Sequence, residues 1–224
     1  MKNRIAVFAL IALTSTLTLP ASAAEKGEWV RIPSNWLLHR FVRPSTASAH
    51  SYKVALVVPP HSKQPKVAQS SGLGDVDQLA SDFAIESILN NAALKNLAQS
   101  KELYFQFVIT PPQLDIKMRS VEGQHPPPPG KEIYAPTADT FYTNPNQNET
   151  TSRRGNLTVI FPPEGGHASE AMVTVSTGSP AVDRYYLHSA ALNWQTTRKS
   201  SKEQVLRTSF GAAAPQRWQS IYDR

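Results

Sequence analysis

Apolar and polar positions fall into two blocks that repeat the same order of elements. In the first, Tyr52 to Val58 is an apolar, β-branched run stopped by Pro59-Pro60, which reads as a strand. His61 to Lys66 is a polar turn, and Val67 to Gln69 begins a return strand, so the pair predicts a hairpin. Ser70-Ser71-Gly72-Leu73-Gly74 breaks the chain, with Asp75 or Asp77 placed to cap a following helix. From Val76 to Ala98 the apolar positions Val76, Leu79, Phe83, Ile88, Leu89, Leu94 and Leu97 keep helical spacing, with an interruption expected at Asn90-Asn91. Leu103 to Ile109 is a strand ended by Pro111-Pro112.

The second block follows suit. Asn156 to Phe161 is a strand stopped by Pro162-Pro163, and Ala171 to Val175 is its return strand. Glu164-Gly165-Gly166-His167 lies in the longer turn between them. Ser176-Thr177-Gly178-Ser179-Pro180 breaks the chain, with Ser179 as cap and Pro180 suited to the first helical turn. Val182, Tyr186, Ala190 and Trp194 form one apolar stripe on a helix over Ala181 to Gln195. Glu203 to Phe210 closes the block as a less apolar strand. Ser70 and Asp77 recur as Ser176 and Asp183, an offset of 106 residues in both cases. The reading is a duplicated strand–strand–helix–strand unit of α+β class, each a small antiparallel sheet covered on one face by a helix.

The flanks set boundaries. Met1-Lys2-Asn3-Arg4, the apolar stretch Ile5 to Leu19, and Ala21-Ser22-Ala23 match a cleavable signal peptide over residues 1–23. The stretch is shorter than the ~20 apolar residues needed to span a bilayer, so no stable membrane insertion is expected after cleavage. The first unit is expected over 24–120, with Trp29, Trp36 and Phe41 docking onto it or serving as core aromatics. A spacer over 121–153 contains four consecutive prolines, Pro126 to Pro129, and a polar stretch; the second unit spans 154–224.

Composition narrows the chemistry. With Lys2 and Arg4 removed, 21 basic and 17 acidic residues leave a formal charge of +4. The basic residues are scattered without interleaved aromatics, so no nucleic-acid partner is expected. The chain has no cysteine, which removes thiolate metal sites and a cysteine nucleophile. None of the six histidines falls in a metal-binding spacing, and no G-x-S-x-G elbow is present. His167 with Glu164 is explained by a glycine-bearing turn rather than by metal ligation, and His188, four residues after Arg184, is expected on a solvated face. Asp77 and Asp183 stand where an acid stabilises a helix dipole by up to ~1 kcal/mol, so capping is favoured over a catalytic pair. No catalytic residue, metal or cofactor is expected.

The pattern of hairpin, Ser-Ser/Thr-Gly break, and aspartate opening a helix resembles the TonB C-terminal domain. Gly155-Asn156-Leu157-Thr158-Val159, Ser176-Thr177-Gly178, Val182-Asp183 and Ala190-Ala191-Leu192 carry the likeness in the second block. Ser70-Ser71-Gly72, Val76-Asp77 and Ala80 carry it in the first. The resemblance implies a module that grips an extended peptide or envelope protein by strand addition at a sheet edge. The chain lacks that family's uncleaved anchor and long proline-rich arm, so energy transduction does not carry over. The expected contact is the strand Gln204, Val205, Leu206, Arg207, Thr208, Ser209 and Phe210, with Leu103–Ile109 as the more covered counterpart. A periplasmic, non-enzymatic binding protein is therefore expected. The alternatives are a structural protein holding peptidoglycan or a secretion assembly, and an enzyme whose site forms between the units.

Overall fold

A computed structural model describes residues 28–62, 64–114 and 154–211, together with the backbone of Ile5–Ala6, Ile133–Tyr134 and Trp218–Asp223. Apart from those short pieces, residues 1–23, expected as a signal peptide, and 121–153, expected as a spacer, lie outside the described residues. The fold is α+β. In chain order the elements are β1 (Ile5–Ala6), β2 (Val30–Arg31), α1 (Ser34–Leu37), β3 (Phe41–Pro44), β4 (Tyr52–Val58) and β5 (Lys66–Gln69). Then come α2 (Gly74–Asn90), α3 (Ala92–Ser100), β6 (Leu103–Ile109), β7 (Gln113–Leu114) and β8 (Ile133–Tyr134). The rest are β9 (Gly155–Phe161), β10 (Gly166–His167), β11 (Glu170–Val175), α4 (Pro180–Asn193), β12 (Gln195–Thr196), β13 (Gln204–Phe210) and β14 (Trp218–Asp223).

The chain divides into two compact units. Unit 1 comprises 1–32 and 51–110, and unit 2 comprises 33–50 and 111–224. The boundary differs from the expected 24–120 and 154–224. Residues 33–50 belong to unit 2 because β3 pairs antiparallel with β11 and parallel with β7. Trp36 and Phe41 therefore sit in unit 2, whereas Trp29 stays in unit 1 with the Lys53 ammonium 5.5 Å from its ring centroid.

In unit 1, β4 is the central strand, with β5 on one side and β6 on the other, both antiparallel. Residues 52, 54, 56 and 58 of β4 and 103, 105, 107 and 109 of β6 are buried, the period-2 signature of one covered face. The covering comes from α2, through Val76, Leu79, Ala80, Phe83 and Ala84, with Phe83 edge-on to Phe107 at 5.5 Å. The interruption expected at Asn90-Asn91 is there: Asn91 ends α2 and caps α3, its side chain accepting from the N–H groups of Ala93 and Leu94. The far side of β6 takes two short parallel segments, β1 at Leu103–Tyr104 and β2 at Phe107–Val108.

Unit 2 carries the larger sheet, ordered β14-β13-β9-β11-β3-β7, with β9 antiparallel to both β11 and β13. Its core gathers Leu157, Val159 and Phe161 of β9, Ala171 and Val173 of β11, and Leu187, Ala190, Ala191 and Trp194 at and beyond α4. The expected cap and first-turn proline are in place, with Ser179 as N-cap and Pro180 at the start of α4. Gly155 lets the chain pass close to its neighbours, since a Cβ there would stand 2.5 Å from the Phe210 ring and 2.8 Å from the Val175 carbonyl.

Candidate functional site

The loop after each return strand is built from the same hydrogen bonds. Ser70 Oγ donates to Asp77 Oδ2 at 2.5 Å, and Ser176 Oγ donates to Asp183 Oδ2 at 2.5 Å. The Ser71 and Thr177 N–H groups donate to the other carboxylate oxygen at 2.8 and 2.9 Å. The Gly72 and Gly178 N–H groups donate back to Ser70 Oγ and Ser176 Oγ. Both glycines sit at φ 87°, a conformation that disfavours any side chain. Neither Asp75 nor Asp77 is the N-cap expected for α2, where Leu73 holds that position; at α4 the expected Ser179 does. The Asp77 and Asp183 carboxylates each lie in the first helical turn and clasp the end of the return strand to the helix, while still complementing the helix dipole.

The two hairpins also share a bulge. On β5 the register shifts between Val67 and Gln69, and on β11 between Val173 and Val175. Ala68 and Thr174 are the extra residues, at the same place relative to each clasp. What lies beyond the two strands differs. β11 is covered by β3, with Met172 opposite Phe41 and Ala171 opposite Val42. The Val173 N–H donates to the Arg40 carbonyl at 2.8 Å, and Arg40 Nε donates to the Val173 carbonyl at 3.1 Å. β5 is the outermost strand of its sheet among the described residues, and all four of its residues are exposed. Val67 is 47% exposed, whereas Val173 is 0%.

An outermost strand presents a row of backbone donors and acceptors to whatever extended chain can pair with it. β5 is nonetheless held at both ends. The clasp to Asp77 fixes its exit, and the His61 N–H donates to the Ala98 carbonyl at the turn before it. A fixed edge spares an incoming strand much of the ordering cost on the receptor side.

The strand expected to be the contact is placed differently. Gln204–Phe210 is an inner strand, paired along its full length with β9 on one side and with β14 on the other. Gln204, Val205, Leu206, Thr208 and Phe210 are buried, while Arg207 and Ser209 are half-buried. The Gln204 amide donates to the Pro162 and Arg198 carbonyls, and Ser209 Oγ donates to Asn156 Oδ1. These residues build the sheet of unit 2 and leave no open edge there. Leu103–Ile109 is flanked along its length by β4 on one side; on the other, β2 covers Phe107–Val108, and β1, which covers Leu103–Tyr104, falls within residues 1–23.

Elsewhere in unit 2 a cavity of about 360 Å³ is lined by Glu164, Glu170, Glu203, His50 and His167, together with small and hydroxyl side chains. Glu170 is 4% exposed. Gly165 and Gly166 adopt φ 80° and 94°, and a Cβ on Gly165 would stand 2.7 Å from the Arg198 carbonyl, so the turn requires glycine. Among the described residues no group of three His, Asp or Glu side chains is arranged to hold a metal ion. His188 is half-buried rather than on a solvated face. Burial, and secondarily the Arg184 charge, lower its pKa from 6.5, His39 acts the same way, and a hydrogen bond to the Leu38 backbone opposes them. Its Nε2 is buried without a hydrogen-bond partner. Among the described residues no helix is long and apolar enough to cross a membrane.

No protein-family model, curated protein or solved structure matches this chain.

Proposed function

We propose that this chain is an exported envelope protein that holds a partner by adding an extended segment of it to the open edge of unit 1. The reading moves the contact from Gln204–Phe210 to Lys66–Gln69 and keeps the binding mode that the TonB-like pattern implies. The observation that carries it is the contrast between two similar hairpins: among the described residues β5 has no strand on its outer side, whereas β11 pairs there with β3; Val67 is 47% exposed, and Val173, packed in the core with α4, is 0%. Within unit 2 the corresponding edge is covered by an extended piece of chain, which supports an extended segment as the occupant of β5. The mode needs backbone groups rather than a set of reactive side chains, in keeping with a binding protein and not an enzyme. Export rests on the basic, apolar and small-x-small pattern of residues 1–23.

The test selects extended peptides from a random library against the protein and follows the backbone amides of residues 66–69 by NMR. Binding peptides should shift those amides, and Val67→Pro should abolish binding while leaving the circular dichroism and unfolding midpoint nearly unchanged. Proline removes the one N–H that an added strand would use, at a position where the side chain contributes little to the core. Undiminished binding by Val67→Pro would discard the edge. N-terminal sequencing of the protein from a periplasmic extract should begin at Ala24; an intact Met1 would discard export with cleavage.

A further inference from the structure

From the way β3 occupies unit 2, we infer the direction and chemistry of the strand that β5 accepts: an extended segment running antiparallel to it, with an apolar residue opposite Val67 and an acidic residue opposite Lys66. The inference rests on the strand addition proposed above and goes beyond it in register and partner class.

The template is β3. It runs antiparallel to β11, and the ladder that places Phe41 opposite Met172 places Arg40 opposite Val173. The Val173 N–H and carbonyl both point to the β3 side, one to the Arg40 carbonyl and the other to Arg40 Nε. Val67 holds the same place on β5, immediately before the bulge and six residues ahead of the N-cap Leu73, as Val173 stands to Ser179. Its N–H and carbonyl are therefore the pair presented at the open edge.

Side-chain chemistry then sets preference. Val67 lies opposite Leu56, which is fully buried on the helix-covered face, so an apolar residue across from Val67 extends that face outward. Lys66 lies opposite Val57 on the other face and is exposed, in the place where unit 2 has the buried Met172 facing Phe41. An acidic residue across from Lys66 gains a cross-strand ion pair, and a basic one is repelled. Pro65 has no N–H, so the ladder ends there, and the site reads only a short segment. An occupant with the sequence of β3 itself would bring Phe opposite Lys66, which marks the segment for β5 as chemically different from the one for β11.

The experiment titrates two synthetic peptides into the full chain, each a Thr-flanked Val-Glu-Val core or its Val-Lys-Val counterpart, with a nitroxide at either end. The expected result is stronger binding of the glutamate peptide, by roughly two- to fivefold, reversed in Lys66→Glu. A nitroxide at the peptide C-terminus should attenuate the Lys66 amide more than Gln69, and one at the N-terminus should do the opposite. Shifts at 66–69 with the parallel attenuation pattern, or with no charge preference, would overturn this inference and leave strand addition standing. Shifts at 66–69 that grow with protein concentration in the absence of peptide would make a second copy the occupant and overturn the acidic segment. Absence of shifts at 66–69 with either peptide, while library-selected peptides still shift them, would overturn the chemistry alone; absence with all peptides would overturn the edge as well.

Discussion

β5 and β11 are two return strands of similar hairpins, clasped by the same Ser–Asp hydrogen bonds. Yet among the described residues one ends its sheet and the other is an inner strand. The difference is in the sequence of the strands only after the fact. Four of the six residues of Glu170–Val175 are buried, the charged Glu170 among them, whereas none of Lys66–Gln69 is. The lesson is that local chemistry built the hairpin and the clasp in both units, whereas a distant segment decided which edge stayed open.

The largest expected effect comes from the strand that sequence placed at an edge. Leu206 is fully buried on an inner strand, so Leu206→Pro should lose about 4 kcal/mol or more and unfold unit 2, read as a collapsed denaturant transition. Binding loss in a folded Leu206→Pro protein would restore Gln204–Phe210 as an edge.

The clasps come next. Asp183, 5% exposed, accepts from Ser176 Oγ, the Thr177 N–H and Thr177 Oγ1, while Asp77 accepts from Ser70 Oγ and the Ser71 N–H. Asp183→Ala should cost about 3 kcal/mol and Asp77→Ala about 2 kcal/mol in urea unfolding, scaling with the donors left unpaired. Equal costs would mean that the third donor contributes nothing.

A matched pair of truncations reads the two edges directly. Val173→Ala should cost about 2 kcal/mol, since both methyls are buried, and Val67→Ala less than about 0.5 kcal/mol. Similar losses at both positions would mean that β5 is covered as β11 is.

The smallest effect is on the element that covers β11. Because His188 has its pKa lowered in the fold, the unfolded chain binds its proton more readily. Stability contributed by the neutral imidazole is present in full above pH 6.5 and declines as pH falls through 6.5 towards the lower folded value. The imidazole joins α4 to the Leu38 backbone, just ahead of β3, with Arg184 and His39 adding like charge. The urea midpoint should therefore fall between about pH 7.5 and about pH 5.5, and His188→Gln should flatten that decline.

Much of the secondary structure was legible because it depends on neighbours in sequence. Tyr52–Val58 and Leu103–Ile109 match the expected strands to the residue, and the proline stops after β4 and β9 mark their ends. The Ser–Asp pairs were legible as a repeat but read as caps, because a carboxylate reaching back six residues leaves no signal different from one reaching forward. The edge was not legible. β3 and β14 pair with strands whose partners are set by tertiary packing, and neither carries a period that names its partner. Phe41–Pro44 is only four residues long, so period-2 alternation has little room to declare a strand.

The path of the chain also dictates the order in which the molecule forms. β3 and β7 are parallel neighbours, with Pro44 opposite Leu114, yet all of 51–110 lies between them in the chain. Tyr52 stands opposite Ile109, and Ser51 Oγ and Thr110 Oγ1 meet at 2.7 Å, so the segment 51–110 begins and ends at one point. The β4–β5–α2–α3–β6 body of unit 1 can therefore form from the contiguous stretch 51–110, with β2 added from the preceding chain, while β3 waits for β11 to emerge well over a hundred residues later. Closing that long loop is a late and slow step, and the order of synthesis makes the open-edged unit the first part of the molecule to mature.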